Sequence, residues 1–165
     1  MKNSIILTNE QINHTIKRIA YQILELNSNE KEIILAGITQ NGFVLAKKIK
    51  KVLNEISQIE IILCEVIIDK KNPLSEIKTS LKKEDYKSKS LILVDDVLNS
   101  GTTLMYSIKH FLEVPLKQFK TVVLVNRNHK KYPVKADFKG VSLSTTLQDN
   151  ITVEFNAGKS IAYLD

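Results

Sequence analysis

Three apolar runs, Ile33-Ile34-Leu35-Ala36, Leu91-Ile92-Leu93-Val94 and Thr121–Val125, restrict the fold of this chain more than any other feature. A strand with one face in water alternates apolar and polar side chains. A strand written as an unbroken Ile/Leu/Val run has both faces covered. The segments between and before these runs carry apolar residues at helical spacing. Behind Thr8 and Gln11, whose separation predicts a capping box, Ile12, Ile16, Ile19 and Ile23 place a helix over residues 9 to about 27. The loop Thr39-Gln40-Asn41-Gly42 leads into a second helix with Phe43, Ala46, Ile49 and Leu53 inward. A third, over 102–113, turns Leu104, Met105, Ile108, Phe111 and Leu112 to the core. Strands are expected over Glu32–Ile38 and Ile59–Ile68, with shorter extended segments at Val134–Phe138 and Ile151–Phe155. Buried strands alternating with amphipathic helices make βαβ units, so the class is α/β, with a doubly wound, mainly parallel sheet flanked by helices.

The 165 residues fit one domain, and no repeat or linker interrupts them. Residues 69–89 lose all periodicity and hold seven lysines among four acids; a polar stretch of that length is usually functional or mobile. Cys64 is the single cysteine and sits in an apolar run, which suits a buried thiol and excludes an internal disulfide. No apolar stretch reaches the roughly 18 residues of a membrane span. The segment Met1–Leu7 turns polar by Thr8, too early for a secretion signal. A cytoplasmic protein with no membrane partner is expected.

The chemistry concentrates in Leu91–Thr103. Two carboxylates, Asp95 and Asp96, follow the strand, and Asn99-Ser100-Gly101-Thr102-Thr103 opens the third helix. Ligands of α/β sheets sit at the carboxyl edge of the strands. The N–H groups and dipole of a helix N-terminus attract a phosphate there. Gly101 lets the backbone approach the ligand, and the hydroxyls of Ser100, Thr102 and Thr103 add hydrogen bonds. Asp95 and Asp96 then face hydroxyls or a divalent cation beside that phosphate. A sugar phosphate satisfies both halves.

The ordered run of apolar strand, Asp-Asp, two apolar residues, polar residue, Ser, Gly, x and Thr resembles the 5-phosphoribosyl-1-diphosphate (PRPP) signature of the type I phosphoribosyltransferases. The opening helix, the strand–loop–helix at 33–53, and Leu124–Lys130 followed by Pro133–Phe138 resemble one branch of that family, the bacterial bifunctional pyrimidine operon regulators with uracil phosphoribosyltransferase activity. The resemblance implies one domain over 1–165, with a small hood built from the N-terminal segment and roughly 139–165, and a flexible loop at about 69–89. It implies Asp95 and Asp96 as the catalytic pair on the ribose hydroxyls, and Asn99, Ser100, Gly101, Thr102 and Thr103 on the 5′-phosphate. Thr39, Gln40, Asn41 and Gly42 would hold pyrophosphate, often through a non-proline cis peptide in this family, and Arg127, Lys135 and Phe138 would flank the base. Mg²⁺ would be bound mainly through PRPP, with no metal site made by the protein alone. The partners implied are PRPP, a nucleobase and a second copy of the chain, in at least a dimer.

Departures from the family pattern bear on function. Asn41 stands where the family usually has Arg, so a neutral amide replaces a charged fork and pyrophosphate binding should weaken. Asp69-Lys70-Lys71-Asn72 stands where the family shows an Arg followed by two acids, and a lysine replaces that Arg as a point charge without bidentate geometry. Lys135-Ala136-Asp137-Phe138 also resembles the base-contacting strand of 6-oxopurine enzymes, but those place an Asp general base where this chain has Asn99, which favours a pyrimidine. Lys135 also reads simply as a surface lysine. Arg18, His129, Lys130 and Lys139 partly keep the basic positions with which the regulators bind leader RNA, and the alternative is a basic surface around a phosphate-rich site. Three functions therefore stand: transfer to uracil, nucleotide sensing with weak or no catalysis and possible RNA binding, or transfer to another base such as a 6-oxopurine.

Overall fold

The computed structural model describes residues 4–165, so the first three residues of the expected domain lie outside it. Its elements run β1 (Ser4–Leu7), α1 (Asn9–Leu26), β2 (Glu32–Ile38), α2 (Asn41–Ile56), β3 (Glu60–Ile67), β4 (Lys78–Thr79), α3 (Lys83–Tyr86), β5 (Ser90–Leu98), α4 (Thr102–Phe111), β6 (Gln118–Arg127), β7 (Phe138–Leu143), β8 (Ile151–Asn156) and β9 (Lys159–Leu164). Six strands form the main sheet in the order β4-β3-β2-β5-β6-β7, all parallel except the short edge strand β4. A separate antiparallel sheet runs β1-β9-β8.

The apolar runs are covered on both faces, and alternate side chains serve different layers. Ile33 and Leu35 of β2, with Ile92 and Val94 of β5, pack under α1 and α2. Ile34, Ala36, Leu91 and Leu93 point the other way, towards Leu104 and Phe111 of α4. Helix α1 starts at the capping box, where Gln11 N–H donates to Thr8 Oγ1 and Thr8 N–H to Gln11 Oε1. Its far end is fixed to the start of β5 by a buried hydrogen bond from Ser90 Oγ to Asn27 Oδ1, 2.8 Å long. Cys64 is buried and free.

Several local expectations need correction. Leu112 is 59% exposed because α4 ends at Phe111, so the fifth residue of its apolar face falls outside the helix. In α2 it is Leu45 that is buried, and Phe43 lies half-exposed under Lys47. The extended segment read at Val134–Phe138 is irregular up to Asp137; the strand begins at Phe138 and continues to Leu143. Residues 139–143 accordingly pair with β6 in the main sheet, while the small sheet takes 151–164. The 69–89 stretch holds β4 and α3 in its second half, where the fully buried Tyr86 packs edge-on against Phe111. One aromatic among many charges leaves no period for sequence reading to detect.

Candidate functional site

The strand order places the site. From β2 the chain goes outward to β3 on one side, and the next parallel strand, β5, lies on the other. The loops that follow β2 and β5 thus leave the sheet in opposite directions, opening a crevice at the topological switch point. The first loop carries Thr39–Gly42 and the second Asp95–Thr103, 55 residues apart from Asn41 to Asp96.

Two adjoining cavities occupy this crevice. One, of about 250 Å³, is lined by Lys70, Asp95, Asp96, the Asn99–Thr103 loop and Ile151 of the small sheet. The other, of about 430 Å³, is lined by Thr39, Gln40, Asn41, Ile67 and Ile68. Lys70 and Asp96 border both. The structure therefore brings together the acidic pair, the predicted phosphate loop and three of the four residues assigned to pyrophosphate. Gly42, the fourth, is buried beneath them. A Cβ there would lie 2.6 Å from Val94 O, so glycine is what allows α2 to start against the end of β5. The Thr39–Gln40 peptide is cis.

Asp95 is 4% exposed, and its Oδ1 accepts the Asp96 N–H at 2.9 Å. Asp96 Oδ1 accepts from Val97 N–H, and its Oδ2 from Asn41 Nδ2 at 2.9 Å. Burial, and next the neighbouring Asp96, push the Asp95 carboxyl up to about 8, against the pull of Lys70. Lys70 Nζ is 4.0 Å from Asp95 Oδ1. The site thus holds a buried carboxyl beside a partly exposed one, opposed by one half-exposed ammonium, an arrangement suited to hydroxyl donors or a further cation.

The phosphate loop has the backbone that its glycine suggested. Gly101 has φ 85°, and a Cβ on it would stand 2.5 Å from Val134 Cγ1. Ser100 O accepts from the N–H groups of Lys131 and Tyr132, which buttress the loop from behind. Ser100 Oγ and Thr102 Oγ1 are 2.9 Å apart. Thr102 N–H donates to Ser100 Oγ at 3.3 Å, and Gly101 offers no capping side chain, so the N–H groups of Thr103 and Leu104 remain for an anion. Asn99 is exposed at the rim.

The residues assigned to the base are not gathered at either cavity. The Arg127 guanidinium donates from Nε to Thr145 Oγ1 and from an Nη to Thr146 O, both at 2.6 Å, and so braces the connection into β8. Lys135 is exposed, while its carbonyl accepts from Thr121 Oγ1. Phe138 packs half-buried on the layer beneath α1. The basic positions fall in two places. Arg18 donates to the carbonyls of Lys139 and Gly140 beside α1. His129, bonded to Thr145 O, and Lys130 lie past the end of β6, four strand residues beyond the level of Lys139, or about 13 Å.

Lys70, from the 69–72 stretch read as replacing a family Arg, lies at the site together with Ile151 and the carbonyl of Val153. Lys70 was legible as a cation just past a strand's carboxyl end. The other two come from β8, inside the segment expected to form the hood, where no local signal aims them at the acidic pair.

The phosphoribosyl transferase domain pattern matches residues 2–158. A bifunctional protein PyrR from Fusobacterium nucleatum is 34% identical over 163 residues, covering 93% of this chain and 91% of that protein. A bifunctional protein PyrR from Streptococcus agalactiae is 32% identical over 159 residues with the same coverage, 93% and 91%. Among solved structures, a hypoxanthine phosphoribosyltransferase of Trypanosoma cruzi superposes with a TM-score of 0.77 at 15% identity, over 96% of this chain and 95% of that one. A hypoxanthine-guanine phosphoribosyltransferase of Bacillus anthracis gives 0.73 at 20% identity, over 87% and 85%. At these identities the structural likeness speaks for the fold. Among the described residues, no helix is long and apolar enough to cross a membrane.

Proposed function

The chain belongs to the phosphoribosyl transferase domain family, and within it to the group of the bifunctional PyrR proteins; from that premise we propose that it binds PRPP with Mg²⁺ and transfers the phosphoribosyl group to uracil, giving UMP and pyrophosphate. The observation that carries this reading is the cavity in which Asp95 and Asp96 face the Ser100–Thr103 loop at an uncapped helix N-terminus. The 5′-phosphate would take the loop N–H groups and hydroxyls. The ribose hydroxyls would donate to Asp95 and Asp96, and the diphosphate would extend past Lys70 into the Thr39–Asn41 cavity.

The protein's contribution is then position and charge. As the bond from the anomeric carbon to diphosphate breaks, the sugar becomes cationic and the departing group gains charge. Asp96 would then face the cationic sugar and Lys70, which borders both cavities, the departing diphosphate, so each charge would meet its opposite. The adjacent carboxyls, with Asp95 held up to about 8, are oxygen donors that a divalent cation would suit by displacing the Asp95 proton. Among the described residues, no cluster of three or more His, Cys, Asp or Glu forms a metal site. Mg²⁺ would be held by substrate oxygens beside Asp95 and Asp96, where it would neutralise leaving-group charge. Asn99 cannot accept a proton, which supports a pyrimidine over a 6-oxopurine.

A second reading, nucleotide sensing with little turnover, is favoured by one observation: both amide hydrogens of Asn41 are engaged within the protein. The deciding experiment presents free bases with PRPP and Mg²⁺, scores pyrophosphate release, and follows thermal stability with UMP. Release with uracil establishes transfer. A UMP shift without release from any base selects the sensor. No response to either refutes the site assignment.

A further inference from the structure

Asn41 is the first residue of α2, and its side chain reaches two other elements. One Nδ2 hydrogen goes to Asp96 Oδ2 on β5 at 2.9 Å, and the other to Val153 O on β8 at 2.8 Å. A carboxamide nitrogen has two hydrogens, so none is left for an anion in the Thr39–Gln40–Asn41 cavity. Thr39 Oγ1 is bonded to Glu65 Oε1, which leaves Lys70 as the charged donor lining that cavity.

Val153 is buried at the centre of β8, paired with Ala162 of β9, and belongs to the same apolar layer as α1 and α2. Its carbonyl is where the small sheet meets the acidic pair through a single shared donor. Resting on the site reading above, we propose that Asn41 is a positioning residue and not a diphosphate ligand: its amide locks Asp96 and the small sheet to the start of α2, so that the ribose-binding carboxylate and the sheet beside Ile151 hold one arrangement together.

Two consequences follow from the geometry. Asp96 is kept with Oδ2 aimed across the crevice, so a ribose hydroxyl meets a preset acceptor. Displacing β8 would break the Asn41 link, so the aim of Asp96 and the position of the small sheet are coupled, each favouring the other. The diphosphate end, served by Lys70, stands outside this coupling.

The test titrates the full chain with UMP and, separately, with inorganic pyrophosphate, each with Mg²⁺, and follows amide hydrogen exchange over 151–164. Asn41→Ala should weaken UMP about tenfold, the usual effect of losing a hydrogen bond to a charged group. It should leave pyrophosphate within about twofold and speed exchange at Val153 and its neighbours. Asn41→Asp keeps the shape without the donors and serves if Asn41→Ala does not fold. With Asp in that place UMP should weaken at least as far, since both donors are lost and a second carboxyl faces Asp96, and exchange at Val153 should again be faster. Loss of pyrophosphate binding with UMP unchanged would make Asn41 a diphosphate ligand and overturn the proposal, as would equal losses of both or unaltered exchange. Wild-type protein that binds neither probe would overturn the site reading itself.

Discussion

Replacing Asp95 with Asn should make the protein more stable and less able to bind its ligand. In the folded chain the Asp95 carboxyl is buried against Asp96, with Lys70 Nζ 4.0 Å away as the opposing charge. Its pKa rises from 3.8 to about 8. Between those values the folded state keeps a proton that the unfolded state releases, so this group's contribution to stability falls as pH rises, by ~1.4 kcal/mol per pH unit. Below the window both states are protonated, and above it both are ionised, so the slope vanishes at either end. From pH 5 to pH 8 the loss amounts to ~4 kcal/mol. Asn is nearly isosteric and has no charge to bury. Urea titrations at pH 5, 6, 7 and 8 should give wild type and Asp95→Asn similar stabilities at the acid end. At pH 8 the variant should lead by ~2–4 kcal/mol, some of the gain being spent on an amide with fewer partners. UMP affinity of the variant with Mg²⁺ should fall more than tenfold, because ligand and cation would draw off the Asp95 proton to make a charged acceptor that an amide cannot become. Parallel pH profiles for the two proteins would refute the argument, because they would mean that Asp95 is ionised at neutral pH in the free protein.

The phosphate loop is expected to be intolerant at its glycine: Gly101→Ala meets both a φ of 85° and Val134, and should cost ~1–3 kcal/mol in thermal unfolding while weakening UMP binding. Thr8→Ala removes the hydroxyl half of the capping box and should lower stability by ~1 kcal/mol, with ligand titrations unchanged. Lys70→Ala should weaken inorganic pyrophosphate more than UMP, and it should raise the Asp95 pKa further by removing the one opposing charge. Equal effects on the two ligands would place Lys70 outside the diphosphate end.

Much of the fold is legible because its signals are local. Unbroken Ile/Leu/Val runs at 33–36 and 91–94 require cover on both faces, and apolar residues three and four apart supply the covering helices. The acidic pair and the Ser-Gly-Thr-Thr loop are likewise contiguous, and their place at the carboxyl end of a buried strand follows from the same pattern. Reading failed where a neighbour distant in sequence decides. Phe138 starts a strand because Val122 lies beside it, and Tyr86 is buried because Phe111 receives its ring. Arg127 looks free in sequence but is taken by Thr145 and Thr146.

By itself the sequence determines an α/β fold and, by resemblance, a phosphoribosyltransferase, with a candidate ribose-phosphate site at 95–103 that is legible because strand, carboxylates, glycine and helix start are consecutive. Only the tertiary structure decides what Asn41 does. Read along the chain, it is a neutral residue in a pyrophosphate loop; folded, its two hydrogens are claimed by Asp96 and Val153, 55 and 112 residues away. A hydrogen-bond donor is allotted by which acceptors lie within about 3 Å, and here both come from strands that the sheet topology alone brings to the start of α2.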